Sequence, residues 1–253
     1  MSKVLVHSHA PEADGCTLRI TPQSAGWRYV GFEVYQLGAV RRADPERETC
    51  VVVLAGRADL AAGGRTWKGV GRHGVFDGDP VALYVPPGVD WSAEGDAEIA
   101  VCTAPAATGA ELRLLDAPRH ESRGSGDEAR EIAHILMDDE PAESLLVTEV
   151  ITPAGHWSSF PPHKHDVDDP PRETLLEETY YHRVRPGGGF GFQRVYTDDR
   201  QLDETVAVGD GDVVLVPRGY HPVAAGARHD LYYLNVMAGP VREWRITTDP
   251  TFS

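Results

Sequence analysis

His163 and His165 stand two residues apart in segment 155–166, GHWSSFPPHKHD. Side chains alternate along an extended strand, so both imidazoles project from one face and can chelate one ion. Pro161 and Pro162 precede them, as suits a strand entry or edge. An acidic loop follows over 166–177 (DVDDPPRETLLE), and then residues 178–181 (ETYY) read as a strand with Glu178 and Tyr180 on one face. Residues 211–221 (GDVVLVPRGYH) form a buried run that ends in a Pro-x-Gly turn and His221. Three imidazoles and one carboxylate make a four-ligand shell with open positions on an octahedral ion. Mn, Fe, Zn, Ni and Cu are all compatible with those donors. His7 and His9 form another His-x-His, but no carboxylate strand follows it, and it reads as a solvated N-terminal segment.

Positioning such donors requires a rigid frame, and the sequence describes a β one. The short runs TCVVVL (49–54), VALYV (81–85), EIAVC (98–102), SLLVTEVI (144–151), VVLV (213–216) and LYYLNV (231–236) are β-branched or aromatic and bounded by turn residues. Many short strands and few long helical patterns mean a mostly-β sandwich or barrel. The best helix candidate is 127–137 (DEAREIAHILM), which gathers Ala129, Ile132, Ala133 and Leu136 near one face, with Asp127 and Glu128 in its first turn. The preceding ESRGSG (121–126) reads as a flexible linker.

The halves on either side of that linker resemble one another. Gly78, Asp79, Val85, Pro86 and Gly88 recur 131 positions later as Gly209, Asp210, Val216, Pro217 and Gly219. Glu48-Thr49 likewise matches Glu178-Thr179, 130 positions on. Two blocks at nearly one offset indicate a duplicated unit. In this alignment Asp90 stands where the second copy has His221, and no His-x-His precedes Glu48, so the first copy lacks the ligand set.

Composition narrows the partners. The chain has 253 residues, enough for one large domain or two small ones. Lys+Arg 24 against Asp+Glu 39 gives a net charge of −15. That argues against nucleic acid or an anionic membrane as partner, while a local cationic pocket could still take an anionic small molecule. Cys16, Cys50 and Cys102 are odd in number and widely spaced, which suggests no disulfide framework and fits a cytoplasmic protein. The start (MSKVLVHSHAPEADGC) has no apolar run of signal-peptide length, and nothing approaches a membrane span.

The motifs taken together resemble the cupins, small β-barrels in which a His-x-His…Glu motif and a Gly…Pro-x-Gly-x-His motif bring four ligands to one metal. Gly211, Pro217, Gly219 and His221 follow the second motif closely. The first departs from it, because twelve residues separate His165 from Glu178. Glu173 and Glu177 are therefore rivals to Glu178, which alone is followed by the x-Tyr-Tyr of the cupin strand. GWRYVGFEVYQL (26–37), WSSFPPHKHD (157–166), LEETYYHRV (176–184), GFGFQRVYTDD (189–199) and VLVPRGYHPV (214–223) are similar to one bicupin family, the 5-deoxy-glucuronate isomerases of inositol catabolism. These are related to the 5-keto-4-deoxyuronate isomerases of pectin breakdown. The resemblance spans about Gly26 to Met237.

It implies two cupin-type jelly-roll barrels joined near residues 116–127. Residues 1–115 would be a degenerate cupin domain, and 116–253 a domain holding a divalent ion (Zn, Mn or Fe) on His163, His165, Glu178 and His221. The implied reaction is an aldose–ketose isomerisation of 5-deoxy-D-glucuronate to 5-dehydro-2-deoxy-D-gluconate. The alternatives are the pectin-derived uronate as substrate, a cupin dioxygenase or decarboxylase, or a non-catalytic sugar-acid binding protein. Charge building on an enediol would be stabilised by the ion as Lewis acid, and a base would carry the proton. Glu177, Tyr180 and His182 are the candidate bases. Tyr180 and His182 share strand parity with Glu178, whereas Glu177 does not. A metal-assisted hydride shift is the rival route. The substrate carboxylate asks for an arginine, and Arg194, Arg183 and Arg218 lie in the matching motifs. Lys164 should point away from the two histidines beside it. Homo-oligomerisation is expected by analogy with cupins.

Overall fold

The computed structural model describes residues 4–36 and 38–252. Leu37, which ends the 26–37 motif, and the first three residues of the N-terminal segment lie outside the described residues. All six apolar runs are strands or lie largely within one. The reason is composition: β-branched and aromatic side chains pack well on a pleated, buried surface. No helix of the described residues is long and apolar enough to cross a membrane. The three cysteines are free and buried.

The chain forms two compact units. One comprises Met1–His7, His120–Ile132 and Thr148–Ser253, and the other Ser8–Arg119 and Ala133–Val147. The division follows strand pairing rather than chain order. Leu5–Val6 pairs antiparallel with Val213–Val216, which ties the start of the chain into the C-terminal unit.

In the C-terminal unit, Val213–Val216, Glu177–Arg185 and Asp230–Ala238 are neighbours in one antiparallel sheet, with Glu177–Arg185 in the middle. Trp157–Ser158, Val223–Ala224, Gly191–Tyr196 and Asp203–Val208 make a second sheet. Asp199, in the turn between the last two strands, accepts from Thr197 Oγ1 at 2.6 Å and from the Gln201 amide at 3.1 Å. His163–Lys164 pairs with Thr247–Thr248. The apolar interior gathers Ile132, Tyr180, Val184, Val195, Val206, Val214, Val216 and Tyr233. Alternation then places Glu178 and His182 on the same inward face as Tyr180.

The N-terminal unit is built on two long strands, Arg47–Ala62 and Trp91–Pro105, paired antiparallel over most of their length with a register shift between Val53 and Ala55. Its core includes Val51, Val53, Leu83, Val85, Ile99 and Val101. Glu48 therefore faces away from that core, whereas Glu178 faces into its own. A one-residue offset reverses the face of a strand, so the matching of Glu48 to Glu178 holds in sequence and not in space. Glu48 instead accepts from Tyr84 Oη at 2.5 Å and from the amides of Glu143, Ser144 and Leu145 at 3.0, 2.6 and 2.6 Å. Its carboxylate anchors a chain segment and is not free to bind metal.

Two expectations are corrected. The predicted helix over 127–137 is a short 3-10 turn, Gly126–Glu128, followed by the strand Arg130–Leu136. Nearly every residue of that strand is buried, so its apolar residues fall on both faces, and such a run imitates a helical stripe. The predicted linker over 121–126 includes the end of a strand, Arg119–Arg123.

Candidate metal centre

Three of the four expected ligands converge. One donor atom each from His165, Glu178 and His221 lies within 4.8 Å of the other two, and all three side chains are buried. His165 Nε2 is 2.9 Å from Glu178 Oε2, and His221 Nε2 is 3.3 Å from the same oxygen. The His163 ring lies against this group, 4.8 Å from the His221 ring and 6.4 Å from the His165 ring by centroid. Its donor atoms stand outside the tight trio.

Local structure explains the placement. Glu178 is in the centre of a sheet, paired with Val216 and Met237. His221 follows a turn that requires Gly219: its φ is +91°, and a Cβ there would collide with the Tyr196 carbonyl oxygen. The acidic loop between the two ligand segments is held by Lys164, which faces away from the histidines as its parity demands. Its Nζ donates to Asp166 Oδ1 at 2.6 Å and to Glu173 Oε1 at 3.1 Å. Glu173 also accepts from the amides of Asp166 and Val167 at 2.8 and 3.0 Å. Asp166 Oδ2 in turn accepts from the Gly219 amide at 2.8 Å. Glu173 is thus committed to the loop, and Glu177 starts the strand on the face opposite Glu178.

The ring tautomers point the same way. His165 Nδ1 lies 3.0 Å from the Leu176 carbonyl, His221 Nδ1 2.8 Å from that of Gly219, and His163 Nδ1 3.4 Å from that of Pro161. Each Nδ1 can carry its proton toward backbone oxygen and so reserve Nε2 for an ion, the arrangement that backbone carbonyls impose on metal-binding histidines. Nε2 of His221 is buried without a hydrogen-bond partner. Burial, followed by the neighbouring imidazole His165, pushes His163 down to about 3. Burial also pushes His221 down to about 3, against the attraction of Glu178. Burial opposes charging His165 too, but the Glu178 carboxylate outweighs it and raises its pKa. Two imidazoles kept neutral by burial, His163 and His221, a third, His165, drawn to the carboxylate of Glu178, and that carboxylate itself fit a divalent transition metal.

The other expected residues separate by face. Tyr180 is buried between Ser159 Oγ, 3.0 Å from its hydroxyl, and the His221 ring, 5.6 Å away by centroid. Burial raises its pKa well above the usual phenol value. His182 stacks on Tyr180 at 6.2 Å, and its Nε2 is 2.9 Å from Gln193 Oε1. Burial pushes His182 down to about 4, and its Nδ1 has no partner. Arg194 lies on the face opposite Gln193 and forms a two-pronged pair with Asp203, both bonds 2.8 Å. Arg183 lies over the Tyr181 ring, on the face opposite His182, and Arg218 is exposed in the turn. Arg194 also lines a cavity with Pro162 and Pro222, the neighbours of His163 and His221. Trp244, which sequence reasoning did not single out, stands edge-on to His163 at 5.8 Å. No motif marks it, because it arrives from the far end of the chain.

Comparison with known proteins gives a consistent picture. The chain matches the KduI/IolB family over residues 4–253. It is 49% identical to the 5-deoxy-glucuronate isomerase of Geobacillus kaustophilus, over 99% of this chain and 94% of that one. To the 5-deoxy-glucuronate isomerase of Bacillus subtilis it is 42% identical, over 91% and 89%. The crystal structure of an IolB-like protein from Salmonella typhimurium superposes with a TM-score of 0.95 at 44% identity, covering 99% of this chain and 98% of that one. Oxalate decarboxylase from Bacillus subtilis shares the fold, with a TM-score of 0.64 at 14% identity over 98% of this chain and 78% of that one.

Proposed function

The chain belongs to the KduI/IolB family and is a metal-dependent isomerase of bicupin fold in sugar-acid metabolism; from that premise we propose that it converts 5-deoxy-D-glucuronate to 5-dehydro-2-deoxy-D-gluconate in the cytoplasm, with a divalent ion held by His163, His165, Glu178 and His221. The observation that carries the reading is the buried convergence of His165, Glu178 and His221 with inward Nε2 atoms, in a chain so similar to named isomerases. Self-association, expected of cupins, belongs to the same proposal and is read by light scattering.

The reaction moves a hydrogen between adjacent carbons while negative charge builds on two oxygens. A divalent ion bound by the four ligands would supply Lewis acidity to those oxygens. Tyr180, the nearer of the inward candidates to the ligands, is kept protonated by burial and can donate a hydrogen bond to a substrate oxygen. Burial holds His182 neutral near pH 7, with its Nε2 at Gln193 Oε1, and it is the second inward candidate to carry the proton. A general base in that role contributes about 10²–10⁴-fold. Glu177 is the remaining candidate, and its place on the opposite face favours the other two.

Chelator-stripped protein is expected to lose isomerisation of 5-deoxy-D-glucuronate and to regain it with added divalent metal. Turnover in D₂O is expected to place solvent deuterium in the product, whereas an unlabelled product would indicate the hydride shift. Full activity without metal, or faster turnover of the pectin-derived 5-keto-4-deoxyuronate, would overturn the assignment.

A further inference from the structure

Arg130 opens the strand Arg130–Leu136 and is 8% exposed. An arginine keeps its charge at any ordinary pH, so folding has taken a cation out of water. Buried arginines are normally paired with a carboxylate, because an uncompensated buried charge is costly. Arg130 has no such pair among the described residues. Its hydrogen bond runs from Nη1 to the Glu128 carbonyl oxygen at 3.0 Å, which leaves the other face of the guanidinium without a protein acceptor.

Strand parity turns Arg130 toward the interior of the unit that holds the candidate metal centre. Ile132 shares a strand face with Arg130 and packs in the same interior cluster as Tyr180 and Tyr233. Gly124 backs the guanidinium: its φ is +81°, and a Cβ there would come within 2.8 Å of Nη1. The charge is felt at the ligands, since Arg130 is among the groups that hold His163 down, after burial and His165. It also acts on Tyr233, against the upward push of burial. Arg123 is placed differently. It lies over Trp244 at 5.4 Å, but Glu121 already neutralises it through bonds of 2.7 and 3.0 Å. Arg130 is therefore the buried cation of this interior that no carboxylate touches directly; Glu128 and Glu121 act on it only from further away. In a chain of net charge −15, such a local cation is what admits an anionic substrate.

We propose that Arg130 binds the carboxylate of the sugar acid and so fixes which end of the substrate reaches the ligand cluster. This rests on the isomerase reading given above. A carboxylate accepts two parallel N–H bonds from a guanidinium, and orienting the acid end inward on Arg130 leaves the carbonyl end for the metal ligands.

The test compares native protein with Arg130→Met and Arg130→Lys, each checked by thermal melt and elemental analysis. With 5-deoxy-glucuronate, Arg130→Met is expected to lose about 100-fold in kcat/KM, the scale for removing one partner of a buried charge pair. With the neutral uronamide it is expected to change little, and metal content should be unchanged. Arg130→Lys should recover part of the loss. An equal loss on acid and amide, or an undiminished preference for the acid, would overturn the assignment. Calorimetric binding of glucuronate and glucuronamide to the metal-loaded native protein separates the two readings. If the native protein does not isomerise the sugar acid yet prefers glucuronate, and Arg130→Met abolishes that preference, the isomerase reading falls and the Arg130 site stands. If Arg130→Met does not fold, equal affinity of the native protein for glucuronate and glucuronamide overturns the site, and a preference for glucuronate that weakens in Arg130→Lys supports it.

Discussion

At the residue scale, His221 carries the clearest demand for a ligand. Its Nδ1 is spent on the Gly219 carbonyl, and its Nε2 is buried with nothing to bond. Leaving a buried polar atom unsatisfied costs about 1–3 kcal/mol, a cost that an ion sharing His165 and Glu178 would remove. His221→Ala is therefore expected to lower metal affinity by more than the roughly 10–100-fold that groups one step further out contribute. His163→Ala should lower it as well, since that ring also turns Nδ1 to a carbonyl and leaves Nε2 bare. The measurement is competition with a chromophoric chelator, and full retention of metal in His221→Ala would remove this residue from the shell. Tyr180 and His182 sit behind the ligands as a protonated phenol and a neutral imidazole, and burial sets both states.

At the element scale, the loop between the two ligand segments is held by charge. Lys164, Asp166 and Glu173 are buried or half-buried and bonded to one another. Through Asp166 they reach the Gly219 amide, two residues before His221. This network joins the His163–His165 segment to the Pro217–Gly219 turn and so sets the spacing of the donors. Glu173→Ala would leave Lys164 with Asp166 alone and two loop amides without their acceptor. The expected result is a loss of about 1–3 kcal/mol in stability, together with weaker metal binding. Chemical denaturation with and without metal measures both. A variant that loses neither would mean that the loop holds its shape without this carboxylate.

At the scale of the whole molecule, the two units are alike in strand content and unlike in chemistry. The N-terminal unit turns the buried Glu48 away from the Val51–Val53 face to anchor Glu143–Leu145. In its one cluster of donors among the described residues, Glu12, Asp14 and Cys16, the two carboxylates pair with Arg19 and Cys16 is buried. Elemental analysis should accordingly find one divalent ion per chain, and two would assign the N-terminal unit a site of its own. The strands, the resemblance to isomerases and the donors that converge, His165, Glu178 and His221, were legible along the chain, because alternation, turn residues and motif spacing are local. The strand at Arg130–Leu136 was not, because a segment buried on both faces has no alternation to read. Nor was the strand face that Glu48 takes, since a single step of register reverses a face without changing a letter of the sequence. The arginines chosen from motifs, Arg194, Arg183 and Arg218, are paired with Asp203, set over the Tyr181 ring and exposed in a turn, whereas Arg130, with no motif, is buried without a carboxylate in contact. The sequence could name which side chains are able to bind an ion or an acid. Which of them are buried, and which left without a partner, was decided by long-range pairing, because desolvation and counter-charge depend on neighbours that the chain brings from far away.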